Sequence, residues 1–178
     1  GAGGAFTGLA SQAVTGNVTL TGGDGGDGGA AGAGSGDGAA GGVGGAVAMT
    51  FARGIDGTLT LDAGTTGSNG AADTGTVGSG SAGGAVTVTL TAAAAQTITG
   101  AVDGGAAGEG TINITGAANA TTFSSNVGAT NSLLALSHTG ATDGTSAVFN
   151  GSVAATTITI DATNREAFAF FSFFLYIY

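Results

Sequence analysis

Two aspartates in a glycine-rich segment are the first residues of this sequence that could bind a ligand. Asp24 and Asp27 stand in the string Gly22-Gly-Asp-Gly-Gly-Asp-Gly-Gly-Ala30. Carboxylates and turn carbonyls with this spacing bind calcium in glycine- and aspartate-rich nonapeptide repeats. Such a repeat continues with an aliphatic residue, whereas this sequence has Gly29 there and does not repeat the motif. A calcium site at Asp24 and Asp27 therefore competes with a metal-free, flexible or polyglycine-type loop.

The residues available for catalysis are few. His138 is the single histidine and lies in Leu136-Ser-His-Thr-Gly140, which we interpret as a solvated corner. A triad of Ser137, His138 and Asp161 would ignore geometry, and the Gly-x-Gly-x-x-Gly strings lack the strand, helix and downstream acid of a dinucleotide site. With no cysteine and only two basic residues, the chain is predicted not to be an enzyme.

Threonines alternate with apolar residues in several short runs and would form a ladder on one outer face. A flat array of this kind can bind ice, although threonine is also an ordinary solvent-facing strand residue. Asn113 and Ala135 interrupt the ladder. The threonines concerned are Thr19, Thr21, Thr58, Thr60, Thr87, Thr89, Thr111, Thr115, Thr157 and Thr159.

Four asparagines stand in N-glycosylation sequons: Asn17, Asn113, Asn119 and Asn150. They have meaning only in a host that glycosylates secreted proteins, and chance sequons are expected in a threonine-rich chain.

Composition excludes several partners. The chain has 178 residues, 39 of them glycine, and a formal net charge of -9 at pH 7. Two basic residues cannot form a phosphate-binding surface, so nucleic acid and acidic lipid are excluded as partners. No stretch reaches the roughly 20 apolar residues of a membrane helix. Because Gly1 stands in place of Met, we expect a mature or excised chain.

Short runs of Val, Ile, Leu and Thr between Gly, Asn and Asp predict an all-β fold. The runs have apolar residues two apart, which places those residues on one face of a strand. Their second apolar residues recur with steps of 24, 22 and 24 residues at Leu90, Ile114, Leu136 and Ile160. Before these come Val18-Thr19-Leu20 and Leu59-Thr60-Leu61, at longer steps.

A second repeat, apolar-x-x-x-apolar, precedes most of the runs. Two repeats of about 24 residues are typical of a parallel β-solenoid, here of about six coils in a domain 1–167 with glycine-rich insertions at 22–45 and 64–84. The alternative is an antiparallel, jelly-roll-like β-sandwich that polymerises by donor-strand exchange. The pairs are Val14/Val18, Phe51/Ile55, Ile98/Val102, Phe123/Val127 and Phe149/Val153.

Residues 168–178 form an aromatic tail that differs from everything before it. As a strand it is apolar on both faces, so in water it would aggregate. It could cap its own fold, complete the sheet of a neighbouring subunit, or cross a membrane as one strand of a barrel. The predicted assembly residues are Phe168, Phe170, Phe171, Phe173, Phe174, Leu175, Tyr176, Ile177 and Tyr178.

The segment 120–162 resembles the passenger repeats of autotransporter-like and filamentous-haemagglutinin-like bacterial surface proteins. The resemblance rests on Phe123-Ser-Ser-Asn-Val-Gly-Ala-Thr130, Phe149-Asn-Gly-Ser-Val-Ala-Ala-Thr156 and Thr156-Thr-Ile-Thr-Ile160. It implies a secreted, right-handed parallel β-helix used in adhesion or in surface layers.

Composition, the tail and this resemblance together predict a non-catalytic structural subunit of an extracellular filament or surface layer. Its partner would be further copies of itself, with membrane contact expected only through the tail. The alternative is a cell-surface adhesin that binds glycan or another surface, with ice the less favoured ligand.

Overall fold

The computed structural model describes residues 2–31, 37–71, 78–91, 93–115, 119–139 and 147–160, together with the backbone of 169–170. These residues form an all-β structure of short strands without a helix. In chain order the strands are β1 (Phe6–Ala10), β2 (Val14–Thr15), β3 (Val18–Thr21), β4 (Val47–Phe51), β5 (Ile55–Asp56), β6 (Leu59–Asp62), β7 (Val86–Leu90), β8 (Gln96–Ile98), β9 (Val102–Gly104), β10 (Glu109–Ile114), β11 (Thr121–Phe123), β12 (Leu133–His138), β13 (Ala147–Phe149), β14 (Ala155–Ile160) and β15 (Ala169–Phe170).

The strands lie in three parallel sheets. Sheet A has the order β1-β4-β7-β10-β12-β14, sheet B the order β15-β13-β11-β8-β5-β2, and sheet C the order β3-β6-β9. Isolated parallel bridges join Val102 to Val127 and Val127 to Val153. The chain visits sheets A, B and C in turn, and we call one such passage a circuit. Each strand therefore pairs with the corresponding strand of the next circuit, as expected for a parallel fold rather than for an antiparallel sandwich.

Apolar side chains at matching positions of successive circuits form columns that make up the core. In sheet B, Ile55 pairs with Ile98, Ile98 with Phe123, and Phe123 with Phe149. All four side chains are at most 1% exposed. β-Branched and aromatic residues favour this pleated setting, and bends that contain Gly or Asn follow several strands, among them β2, β5 and β13.

The predicted single ladder of apolar runs is wrong, because it joined two different sheets. Val18–Thr21 and Leu59–Asp62 are strands of sheet C, whereas Val86–Leu90, Glu109–Ile114, Leu133–His138 and Ala155–Ile160 are strands of sheet A. Both kinds of strand alternate apolar and polar residues, so their patterns cannot be told apart by period alone. The long early steps in the predicted ladder result from this change of sheet and from the glycine-rich insertions.

The second predicted repeat is confirmed in its later members. Ile98 pairs with Phe123 and Phe123 with Phe149, while Val102 is bridged to Val127 and Val127 to Val153.

The pair Phe51/Ile55 is wrong, because Ile55 is the first apolar residue of this repeat in its circuit and not the second. Ile55, not Phe51, pairs with Val14 and Ile98, and Leu59 pairs with Val102. Phe51 ends β4 in sheet A, where its carbonyl accepts a hydrogen bond from Thr91 N at 3.2 Å. An aromatic residue four positions before an aliphatic one matches the repeat in sequence, and only the sheet that it belongs to separates the two cases.

Residues of the predicted domain 1–167 fall into two compact units. Unit 1 comprises 1–6, 21–47 and 63–86, and unit 2 comprises 7–20, 48–62 and 87–178. The glycine-rich insertions lie in unit 1, and the apolar columns described above lie in unit 2.

The extended segments of unit 1 are joined by hydrogen bonds at every third residue. The N–H groups of Gly23, Gly26 and Gly29 donate to the carbonyls of Gly45, Gly42 and Ala39, at 2.8, 2.6 and 2.7 Å. Those of Gly25, Gly28 and Ala31 donate to Thr65, Ser68 and Ala71, at 2.8, 2.8 and 3.1 Å. A third ladder runs from Gly64, Gly67 and Gly70 to Gly84, Ser81 and Gly78. A period of three is that of the polyproline II conformation, not of a β-strand.

Close approach of these backbones requires glycine at the interior positions. A Cβ atom built on Gly84 would collide with the carbonyl group of Gly45, and one on Gly41 with that of Gly26. Because each segment has three residues per turn, one residue in three points outward and can carry a side chain. Asp24, Asp27 and Val43 occupy such outward positions and are exposed. The insertion therefore has a polyglycine-type backbone geometry, which leaves the calcium prediction untested.

Candidate functional surfaces

Sheet A has an open strand at each side among the described residues, β1 at one edge and β14 at the other. Apolar side chains on these strands are exposed: Phe6 is 57% exposed, Leu9 67% and Ile160 49%. The residues paired with Ile160 in the circuits before it, His138 and then Ile114, are buried. Open strand edges with exposed apolar side chains are templates for pairing with another chain.

The backbone groups of sheet A follow one rule from strand to strand. The carbonyls of Ala10, Phe51, Leu90 and Ile114 accept from the N–H groups of Ala52, Thr91, Thr115 and Thr139, respectively. These acceptors are inward-facing residues, and each donor belongs to the following circuit. Since backbone groups alternate in direction along a strand, outward-facing residues direct theirs at the preceding circuit.

This rule makes the two open edges complementary. At the β1 edge it is the outward-facing Thr7 and Leu9 whose N–H and carbonyl groups point away from β4. At the β14 edge it is the inward-facing Ile158 and Ile160 whose groups point away from β12. A β14 edge set against a β1 edge would therefore repeat the hydrogen-bond pattern found inside the sheet.

Two columns of polar side chains run along the outer face of sheet A. One contains Thr87, Thr111, Ala135 and Thr157, and the other contains Thr89, Asn113, Ser137 and Thr159. Ser137 Oγ lies 2.6 Å from Asn113 Oδ1 and donates a hydrogen bond to it. The interruptions predicted at Asn113 and Ala135 are confirmed, but Asn113 is a hydrogen-bonded member of its column. Charged and aromatic residues are absent from both columns.

The interpretation of His138 as a solvated corner residue is wrong. His138 is the last residue of β12, is 3% exposed, and pairs with Ile114 and Ile160. Burial lowers its pKa below the ordinary value of 6.5. The neighbouring Ser137 points to the opposite face of the strand, so the two side chains do not converge; Asp161 lies outside the described residues. The polar run Ser-His-Thr concealed the continuing strand alternation.

Asp24 and Asp27 connect neighbouring segments of unit 1. Asp24 Oδ1 accepts hydrogen bonds of 2.8 Å from both the N–H and the hydroxyl of Thr65, and Asp27 Oδ1 accepts one of 2.7 Å from Ser68 N. The hydrogen bond from the Thr65 backbone is the main cause that lowers the pKa of Asp24. In the described part of the chain, no three His, Asp or Glu side chains come together as metal ligands. Calcium at these two aspartates stays a prediction.

The four sequon asparagines occupy different settings. Asn17 Oδ1 accepts from Thr58 N at 3.0 Å, and Asn113 is held by Ser137 on the outer face of sheet A. Asn119 is partly buried, whereas Asn150 is exposed in the bend that follows β13. Of the four, Asn17 and Asn150 are exposed, whereas Asn113 and Asn119 are partly buried.

The aromatic tail lies outside the described residues except for the backbone of Ala169 and Phe170. There β15 pairs with β13 of the same chain, Ala169 beside Val148 and Phe170 beside Phe149. A buried polar pair in the same sheet was not predicted: Gln96 Nε2 donates to Thr121 Oγ1 at 3.0 Å. Their shared column position, 25 residues apart, was the available signal.

Within the described residues, no helix has the length and apolar character needed to span a membrane. A scan against protein-family models, a search of curated proteins and a search of solved structures each find no match for this chain.

Proposed function

We propose that this chain is a non-catalytic structural subunit of an extracellular filament or surface layer. In this proposal it is a right-handed parallel β-solenoid of about six coils, and subunits join head to tail through the open edges of sheet A. The observation that carries the proposal is the complementarity of those edges. The unpaired N–H and carbonyl groups of one edge are positioned to bond with those of the other, and both edges expose apolar side chains.

Head-to-tail pairing would cover exposed apolar side chains at the two edges, among them Ile160. The β1 strand of a second copy, set on β14, would place its inward-facing residues beside Ile158 and Ile160, as β12 already places Leu136 and His138. Because the two contact surfaces differ, such pairing is heterologous and continues into a fibre unless it closes into a ring. The low number of basic residues limits subunit-to-subunit contacts through ion pairs, so backbone pairing and apolar burial would dominate.

In this proposal the aromatic tail contributes to the contact in addition to the edges of sheet A. Since β15 extends sheet B beside β13, the tail would form the edge strand of sheet B and contribute the C-terminal side of the contact. On the basis of their apolar and aromatic composition, the proposed assembly residues remain Phe168, Phe170, Phe171, Phe173, Phe174, Leu175, Tyr176, Ile177 and Tyr178.

Electron microscopy and sedimentation at several concentrations test the proposal. We expect filaments for the wild type and a monomer for Leu9→Pro, because proline removes an N–H that points at the open edge and none that bonds to β4. Leu9→Ala is the matched control, since it loses the apolar side chain but keeps the N–H, and it should still assemble. A wild-type protein that stays monomeric at every concentration overturns the proposal. Equal assembly by Leu9→Pro and wild type overturns the edge mechanism.

Deleting 168–178 separates the tail from the edges. Loss of filaments on deletion, with an unchanged circular dichroism spectrum, supports a role of the tail in assembly. Filaments that persist without the tail remove it from the contact and leave the sheet A edges as the interface.

A second candidate function is a surface-binding module that uses the outer face of sheet A. The two in-register polar columns favour it, because strands 4.7 to 4.9 Å apart repeat hydroxyl and methyl groups at a fixed spacing. The lack of aromatic and charged residues in these columns favours an uncharged, ordered surface such as ice over a glycan. Thermal hysteresis in the wild type that Thr89→Lys abolishes would support this candidate, and no hysteresis in the wild type would end it.

A further inference from the structure

The chain contains two Asn-Gly dipeptides, Asn69-Gly70 and Asn150-Gly151, and the structure places them in contrasting environments. Asn-Gly is chemically labile because the glycine N, unhindered by a side chain, can attack the carboxamide carbon of the asparagine. Glycine also leaves the backbone free to reach the geometry of attack. Whether the reaction occurs in a folded protein depends on how firmly both groups are held.

In unit 1, hydrogen bonds hold both reacting groups of the first dipeptide. Asn69 Oδ1 accepts from Gly80 N at 3.0 Å, and Gly70 N donates to the carbonyl of Gly78 at 2.6 Å. The second of these bonds belongs to the three-residue ladder from Gly64 to Gly70. Attack by Gly70 N would require both bonds to break.

The second dipeptide lies in the exposed bend after β13. Asn150 N donates to the carbonyl of Phe123 at 3.0 Å, which anchors the start of the bend, but its side chain is exposed. Among the described residues, Gly151 N donates no hydrogen bond and the Asn150 carboxamide has no partner. Among the described residues, neither reacting group of Asn150-Gly151 is therefore held by a hydrogen bond, whereas both reacting groups of Asn69-Gly70 are.

We propose that Asn150 is a site of spontaneous deamidation in the folded protein and that Asn69 is protected. Gly151 N loses its proton to solvent base and attacks Cγ of Asn150. A C–N bond forms, the bond from Cγ to the amide nitrogen breaks, and ammonia leaves with a proton from water. The resulting succinimide is then opened by one water molecule at either carbonyl, giving aspartate or isoaspartate at position 150.

The conversion has three consequences. It removes the Asn150 sequon and adds a negative charge to a chain that already has a net charge of -9. In the isoaspartate product it also inserts one methylene group into the backbone next to a tightly bonded corner. There Ser152 N donates to Asn126 Oδ1 at 3.0 Å, and Val127 N donates to the Ser152 carbonyl at 2.8 Å. We expect the converted protein to melt at a lower temperature.

The test compares both sites within the same molecules. Wild-type protein is incubated at mildly alkaline pH, digested with an aromatic-specific protease, and analysed by mass spectrometry and by enzymatic methylation of isoaspartate. We expect conversion at Asn150 to be faster than at Asn69 by about tenfold or more, since one site requires hydrogen bonds to open and the other does not. In urea, where the fold is lost, the two sites should convert at similar rates.

Three results would overturn the proposal. One is equal conversion of Asn69 and Asn150 in the native protein, and another is a native protein in which neither site converts while both do so in urea. The third is a difference between the sites that persists in urea, because it would trace to the local sequence rather than to the fold. Asn150→Gln is the control variant, since its longer side chain disfavours the five-membered ring, and it should lose the modification without loss of folding.

Discussion

The aromatic rings of Phe123 and Phe149 are stacked, with their centroids 4.8 Å apart and their planes 7° from parallel. That distance equals the spacing of neighbouring strands, 4.7 to 4.9 Å. Isolated aromatic pairs prefer offset or edge-to-face arrangements, so the in-register pairing of β11 with β13 imposes this geometry. The stack therefore reports the register of the two circuits.

Phe149→Ala is expected to destabilise the protein by about 3 to 5 kcal/mol, because it removes a buried ring and leaves a cavity beside Phe123. Equilibrium urea unfolding measures the change. The control is Leu134→Ala, whose side chain is 49% exposed and should cost much less. Equal losses in the two variants would contradict the register described for sheet B.

Gly84→Ala tests the interior of unit 1. We expect a loss of about 1 to 3 kcal/mol, the range for forcing extra atoms into a packed core, because the new methyl group would meet the Gly45 carbonyl. Gly4→Ala is the matched control in the same unit, since a Cβ there has nothing within 4 Å. Thermal denaturation followed by circular dichroism compares them, and similar melting temperatures would argue against the close backbone packing.

Gln96 and Thr121 should behave as a coupled pair. Thr121→Val removes the acceptor of a buried hydrogen bond and is expected to cost about 1 to 3 kcal/mol. Adding Gln96→Met, which removes the donor as well, should recover part of that loss. Gln96 is 3% exposed, and its Oε1 has no hydrogen-bond partner among the described residues. Strictly additive effects in a double-mutant cycle would show that the pair is not coupled.

His138 should make stability depend on pH. Burial lowers its pKa in the folded state, so the unfolded chain binds a proton near pH 6.5 while the folded chain does not. Stability is therefore fully present above pH 6.5, falls as the pH drops through that value, and levels off below the folded pKa. Urea unfolding at a series of pH values measures this, and His138→Leu should flatten the profile. An unchanged slope in the variant would assign the pH dependence to other groups.

Asp24 should stabilise unit 1 through its hydrogen bonds to Thr65. Asp24→Asn keeps an oxygen acceptor and is expected to lower the melting temperature less than Asp24→Ala. Because the pKa of Asp24 is lowered in the folded state, its contribution is present above pH 3.8 and is lost as the pH falls through the folded pKa. Melting temperatures that are the same for both variants would mean that the acceptor has no role.

The same variants test the calcium prediction. Calcium bound at Asp24 and Asp27 would raise the melting temperature of the wild type, chelator would reverse the rise, and Asp24→Asn would abolish it. A wild-type melting temperature that does not respond to calcium or chelator removes the site.

Much of the fold could be predicted from the residues. Alternation of apolar residues with threonine predicted the strands, and the recurrence of Ile98, Phe123 and Phe149 predicted which circuits pair. These features are local or periodic, so they are visible in a single chain. The assignment of strands to sheets was not visible, because strands of sheets A and C share the same alternation. Phe51 was misassigned because it stands four positions before Ile55, as in the repeat, although it belongs to sheet A and Ile55 to sheet B.

The sequence by itself determined which candidate features the chain contains: the uncharged threonine runs, the aromatic tail and the two Asn-Gly dipeptides. Only the tertiary structure decided which of the described residues are buried, paired or open. His138 enters the core because strand alternation continues through a polar run, and Asn69 is held because glycine backbones pair at every third residue. Both outcomes depend on contacts between residues far apart in the chain, which residue type and spacing do not specify.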